Sequence, residues 1–145
     1  MYNKSMNGFM ALLAFVVAWF VAQVTKLIAF VVKNKKANKE QILNCIIKSG
    51  GMPSGHAAST IGMTTYFGLS LGADSPIFAL ALCFALIVIY DAINVRYAVG
   101  EHGKILKKMT NDKEMKIVEG HTFGQVCVGI MLGVIVGVVV FAFFG

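Results

Sequence analysis

Residues 52–72 run MPSGHAASTIGMTTYFGLSLG, without one Asp, Glu, Lys or Arg. A bilayer core about 30 Å thick takes ~20 residues of helix, so the stretch has the length of a membrane span. It opens on Pro53, and proline suits the first turn of a helix because its missing N–H has no partner there in any case. Taken as a span, it joins three further apolar stretches: residues 8–32, broken only by Gln23, Thr25 and Lys26; residues 75–95, with Asp91 near the end; and residues 122–145, with no formal charge. The expectation is an all-α integral membrane helical bundle of about four spans. A second helix that re-enters or lies partly in protein lowers the span count but leaves its two flanking loops on one side.

Composition points the same way. The chain has 145 residues, 57% hydrophobic and only 14% charged, with a mean hydropathy of +0.74. A soluble domain carries about a quarter charged residues. The length allows one domain, residues 1–145. A net charge of +6 raises nucleic acid as a partner, but the cations fall between apolar stretches, so anionic headgroups or an anionic substrate explain them better. The first apolar run is too long for the core of a cleavable signal and is expected to be retained. Cys45, Cys83 and Cys127 are far apart and form no C-x-x-C pair, which argues against a disulfide framework or zinc site.

The positive charges orient the bundle. Lys33, Lys35, Lys36, Lys39 and Lys48 follow the first stretch, and Arg96, Lys104, Lys107, Lys108, Lys113 and Lys116 follow the third. The turn at 72–76 has none and the N-terminal tail only Lys4. Both basic loops are therefore expected in the cytoplasm, with both termini outside. The polar segment 97–119 is expected to hold a short interfacial helix around Ile105 and Leu106.

This orientation brings the unusual side chains to one membrane face: Lys26 and Lys33 at the end of the first span, Ser54, Gly55 and His56 at the start of the second, Asp91, Asn94 and Arg96 closing the third, and His121 with Gln125 opening the fourth. On the opposite face Asp74 stands alone. Polar groups at membrane depth are costly and mark pairing or function. Gln23, Lys26, Phe30 and Lys33 share one helix face. Lys33 is placed to snorkel to the headgroups, whereas the deeper Lys26 calls for an inward partner. The start of the second helix offers free N–H groups and a positive helix end to phosphate oxygens, although an ordinary N-cap followed by a surface histidine fits the same residues. Two histidines can divide phosphoester cleavage, one attacking phosphorus and one protonating the leaving alkoxide. Arginine and N–H groups would hold the developing charge. Zinc held by the histidines and Asp91 is the competing chemistry, disfavoured because the clustered cations repel a metal ion. Gly129, Gly133 and Gly137 in the fourth span, like Ala14, Ala18 and Ala22 in the first, form close-packing faces for another helix, within the chain or in a homodimer.

Four blocks, Ala22-Gln23-Val24-Thr25-Lys26, Ser49-Gly50-Gly51-Met52-Pro53-Ser54-Gly55-His56, Tyr90-Asp91-Ala92-Ile93-Asn94-Val95-Arg96 and Gly120-His121-Thr122-Phe123-Gly124-Gln125-Val126, carry a resemblance. In order and content they resemble the divergent branch of the type 2 phosphatidic acid phosphatase superfamily, related to acid phosphatases and vanadium haloperoxidases. P-S-G-H is the most specific of them. The resemblance implies that Lys26 is a phosphate ligand, that Ser54 and Gly55 contact phosphate, that His56 is the acid and that His121 is the nucleophile. It departs from the superfamily pattern at three places. Lys33-Asn34 stands where Arg-Pro is expected, Met115 falls at the arginine position so that Arg96 substitutes, and Gln125 replaces the aspartate that orients the nucleophile. A glutamine accepts a hydrogen bond without supplying charge, which leaves Asp91 to take part of that role.

The function implied is a membrane lipid phosphatase that hydrolyses a lipid phosphate monoester or diphosphate through a phosphohistidine. The expected catalytic residues are His121, His56, Gln125 and Asp91, and Lys26, Ser54, Gly55, Arg96 and Lys33 are expected to bind substrate, with no metal or other cofactor. Phosphatidic acid, phosphatidylglycerophosphate and polyprenyl diphosphate all offer such a head on an apolar tail. The expected partners are lipid phosphate and membrane lipids, with no nucleic acid. The expected location is a bacterial cytoplasmic membrane, site on the cytoplasmic side. The alternatives are a weak or inactive relative that binds lipid phosphate or partner proteins, a small four-span transporter, and a vanadate-dependent oxidation catalyst.

Overall fold

A computed structural model describes residues 8–35, 38–39, 41–42, 51–112, 115, 117 and 120–145. Helix α1 spans Gly8–Lys33, α2 Gly55–Leu71, α3 Pro76–Tyr90, α4 Arg96–Thr110 and α5 Phe123–Phe144, with a π turn at Asp91–Val95 joining α3 to α4. No strand occurs among the described residues. Lys4, Lys36, Cys45, Lys48, Lys113 and Lys116 lie outside them, as do Ser49 and Gly50.

Three helical segments are long and apolar enough to cross a membrane: Gly8–Lys33, Pro76–Thr110 and Phe123–Phe144. The second helix is not one of them, so three of the about four expected spans have the length and hydropathy of a membrane crossing. At 17 residues and ~1.5 Å per residue, α2 is about 26 Å long, short of the bilayer core. Instead it packs against α1, α3 and α5, and this enclosure explains its composition. A helix surrounded by protein needs no lipid-compatible surface, provided its polar groups are satisfied. The hydroxyls of Ser59 and Thr60 donate to the His56 carbonyl at 3.1 and 2.9 Å. The Thr64 hydroxyl lies 2.8 Å from the Thr60 carbonyl and 3.2 Å from the Ala81 carbonyl across the interface with α3. The helix begins at Gly55 with Ser54 as its N-cap, so Pro53 precedes the first turn instead of occupying it.

Small residues set the packing distances. Ala11, Ala14, Ala18 and Ala22 are buried along α1, and a Cβ on Gly62 of α2 would come within 3.0 Å of the Ala18 Cβ. On α5, a Cβ at Gly129, Gly133 or Gly137 would fall 2.5–2.7 Å from Ser54 O, Ala58 O or the Gly62 and Thr65 atoms. The glycine face is therefore filled by α2 of the same chain, and it no longer argues for a homodimer. These contacts pair rising numbers on α2 with rising numbers on α5, so the two run parallel. The side chains of Trp19 and Gln23 face Gly55, and Ala14 and Ala18 face Gly62, so α1 runs antiparallel to α2. The large side chains Phe20, Leu80, Ile87, Met131 and Phe143 point outward, more than half exposed, as suits a lipid solvent.

The polar segment after the third stretch also differs from expectation. In place of a separate short helix, α4 continues α3 through the π turn, forming 35 residues of unbroken helix. Nothing between 91 and 96 stops a helix: there is no proline, and no glycine occurs until Gly100.

Candidate active site

The starts of α2 and α5 lie at one end of the bundle with the last turns of α1 and α3. The Ser54 N–H donates to the Gln125 carbonyl at 3.1 Å, tying the two helix starts together, and the His121 N–H donates to the Ala92 carbonyl at 3.0 Å, tying the segment before α5 to the π turn. Within that turn the Arg96 N–H reaches back five residues to the Asp91 carbonyl. The widened turn thus coincides with the point where the His121 loop docks, and such π-bulges are frequent at functional sites. Gly120 lies directly against the Tyr97 backbone and the Arg96 carbonyl carbon, a crossing that leaves no room for a side chain.

His121 is 2% exposed. Its Nδ1 lies 3.1 Å from the Gly51 carbonyl oxygen. A carbonyl only accepts, so Nδ1 carries the proton and donates it, and in the neutral ring Nε2 holds the lone pair. Burial lowers the His121 pKa and the Lys26 ammonium adds to the effect, while the Gln125 side chain and the Gly51 carbonyl oppose it; the net shift is downward. At neutral pH the ring is uncharged.

Gly51 adopts φ +84, the left-handed region that suits glycine, and the stem of Lys26 passes 3.5 Å from where its Cβ would stand. Lys26 is 8% exposed, in agreement with an inward placement. Lys33 occupies the last turn of α1 and is exposed. Among the described residues no hydrogen bond or ion pair joins it to the histidines, which fits snorkelling. His56, in the first turn of α2, is exposed and lies within electrostatic reach of Arg96, Lys26 and Asp91. Arg96 Nε sits 3.8 Å from Asp91 Oδ2, so Asp91 pairs with the arginine. Ser54 is fully buried and its Oγ accepts the Ala57 N–H at 3.4 Å. Gln125 Oε1 accepts the Thr122 N–H at 3.0 Å, and the Thr122 side chain completes a capping box with the Gln125 N–H.

Two contributors escaped the sequence reading as site residues. Gly51 orients the nucleophile candidate through its carbonyl, and its only signal was the Gly-Gly pair ahead of P-S-G-H. Gln23, one helical turn before Lys26, brings Nε2 to 3.6 Å from the Gly55 Cβ position, and its buried Oε1 has no hydrogen-bond partner among the described residues. No three His, Cys, Asp or Glu side chains cluster as metal ligands among the described residues.

A helical membrane bundle with two histidines and two cations gathered at the N-terminal ends of two of its helices defines the class: an integral membrane protein with a polar centre suited to anions. More narrowly, the chain belongs to the Divergent PAP2 family, whose model matches residues 8–136. It is similar to YuiD of Bacillus subtilis strain 168, described as an uncharacterized membrane protein, with 34% identity over 113 residues, 77% of this chain and 68% of that one. No solved structure matches the chain.

Proposed function

We propose that the chain hydrolyses a phosphate monoester or diphosphate carried on a lipid. The observation that supports this most strongly is His121: a buried imidazole, its proton fixed on Nδ1 by a carbonyl, beside Lys26 and near a second histidine. Lys26, Arg96 and the first N–H groups of α2 hold the phosphoryl oxygens, with the positive ends of α2 and α5 adding to the field. Nε2 of His121 attacks phosphorus in line, the P–O bond to the lipid breaks, and protonated His56 gives its proton to the leaving oxygen. His56 then takes a proton from water as the water oxygen attacks phosphorus. The P–N bond breaks, and inorganic phosphate leaves. Ser54 serves by capping α2, Gln125 by capping α5, and Asp91 by positioning Arg96.

The orienting acceptor on His121 is a carbonyl and carries no full charge, which favours one second reading: a relative that binds lipid phosphate and turns it over slowly or not at all. Both are tested by incubating purified protein with vesicles carrying phosphatidic acid, phosphatidylglycerophosphate or a polyprenyl diphosphate, a chelator being present. Phosphate release supports hydrolysis. Saturable lipid binding without release selects the second reading, and neither result sinks both.

A further inference from the structure

We propose that α4 is a docking surface for an anionic membrane leaflet. The helical run Pro76–Thr110 has 35 residues, about 52 Å of helix, whereas residues 76–95 already cover the ~30 Å core. Residues 96–110 therefore emerge from the core. Their side chains divide into three faces at 3.6 residues per turn. One meets the protein: Gly100 is buried, Gly103 abuts Ile117, and Lys107 Nζ donates to the Met115 carbonyl at 3.1 Å. A second is polar and carries Lys104, Lys108 and Glu101, with Lys104 paired to Glu101 at 2.8 Å. The third carries Val99, Ile105, Leu106 and Met109, each exposed over roughly half or more of its surface, with the exposed His102 among them.

An apolar stripe outside the core, uncovered by the described chain, has two available partners: another protein or the acyl–headgroup boundary. Charge favours the boundary, and the π turn at Asp91–Val95 is the kind of place where a helix bends, which lets α4 lie against the leaflet instead of running on into water. The helix carries Arg96, Lys104, Lys107 and Lys108 against the single carboxylate Glu101. Cations beside an inserted apolar stripe meet lipid phosphates, and the attraction grows with the negative charge of the leaflet. Where α4 sits is independent of what the histidines do.

The test uses the full chain with Cys45, Cys83 and Cys127 replaced by alanine and single labelled cysteines at Ile105→Cys, Met109→Cys, Lys104→Cys and Lys108→Cys. The protein is placed in vesicles of zwitterionic phospholipid with or without phosphatidylglycerol. With phosphatidylglycerol, labels at 105 and 109 are expected to be quenched several-fold more by acyl-chain nitroxides than labels at 104 and 108, and aqueous iodide should show the reverse order. Omitting phosphatidylglycerol is expected to raise iodide access at 109. Equal iodide quenching on both sides of the helix overturns the proposal, as does a pattern indifferent to phosphatidylglycerol. Labels at 105 and 109 reached by neither quencher also overturn it, and assign the stripe to a protein partner. Val99→Cys and Leu106→Cys report on the same face if either first-choice variant misfolds.

Discussion

In the proposed reaction the histidine that attacks phosphorus needs its proton on the far nitrogen, and at His121 the acceptor that would keep it there is the Gly51 carbonyl. Glutamine at 125 had suggested a weakened orienting partner, and its side chain is shared: it raises the His121 pKa against the effect of burial, while its oxygen accepts the Thr122 N–H of the cap. Gln125→Ala is accordingly expected to remove about 1 kcal/mol of capping energy, seen as a lower unfolding midpoint, while keeping turnover within about tenfold of wild type. Gly51→Ala should do the opposite. It strains the left-handed backbone by about 1–2 kcal/mol and turns the carbonyl, lowering kcat by about tenfold or more with a modest effect on Lys26 packing. Because the His121 pKa is shifted downward by burial, falling pH removes its lone pair only below the ordinary value of about 6.5. An NMR titration of labelled histidine in detergent is expected to place the His121 midpoint under that value, and a midpoint at or above it would count against the burial account. Sequence reading found the histidines and Lys26 because their side chains are rare at such places. It missed Gly51 because every residue has a carbonyl, and only a backbone fold shows which one points at the ring.

At the scale of elements, the three apolar spans were legible because lipid demands long uncharged helices. The nature of α2 was not: a helix sheathed by its neighbours is freed from that demand, and Ser59, Thr60 and Thr64 donate their hydroxyls to backbone carbonyls. The glycines of α5 announced a close-packed face, but no residue pattern states whether the partner is in the same chain. Their Cβ clashes with α2 now fix it. Gly133→Leu is expected to lower thermal stability in detergent by at least the ~1–3 kcal/mol typical of overpacking. Val134→Leu, on the exposed side, should stay within about 0.5 kcal/mol of wild type. Thr64→Val removes a hydroxyl that faces the Ala81 carbonyl across α2 and α3 and should lower stability by only about 0.6 kcal/mol, the mean for interhelical hydrogen bonds in membranes.

For the molecule as a whole, the family match over residues 8–136 takes in the polar end and stops within α5. The bundle puts helix starts from α2 and α5 beside the final turns of α1 and α3, so one end gathers positive helix ends and cations and the other keeps Asp74. Such an end is suited to an anionic head whose apolar tail remains among the lipid-facing side chains. Phosphate release from a vesicle-borne lipid phosphate, compared between wild type and His121→Ala of equal helix content, tests the central claim most directly. The account predicts steady release by the wild type and a loss of about a thousandfold or more in the variant; release by His121→Ala at the wild-type rate would contradict it.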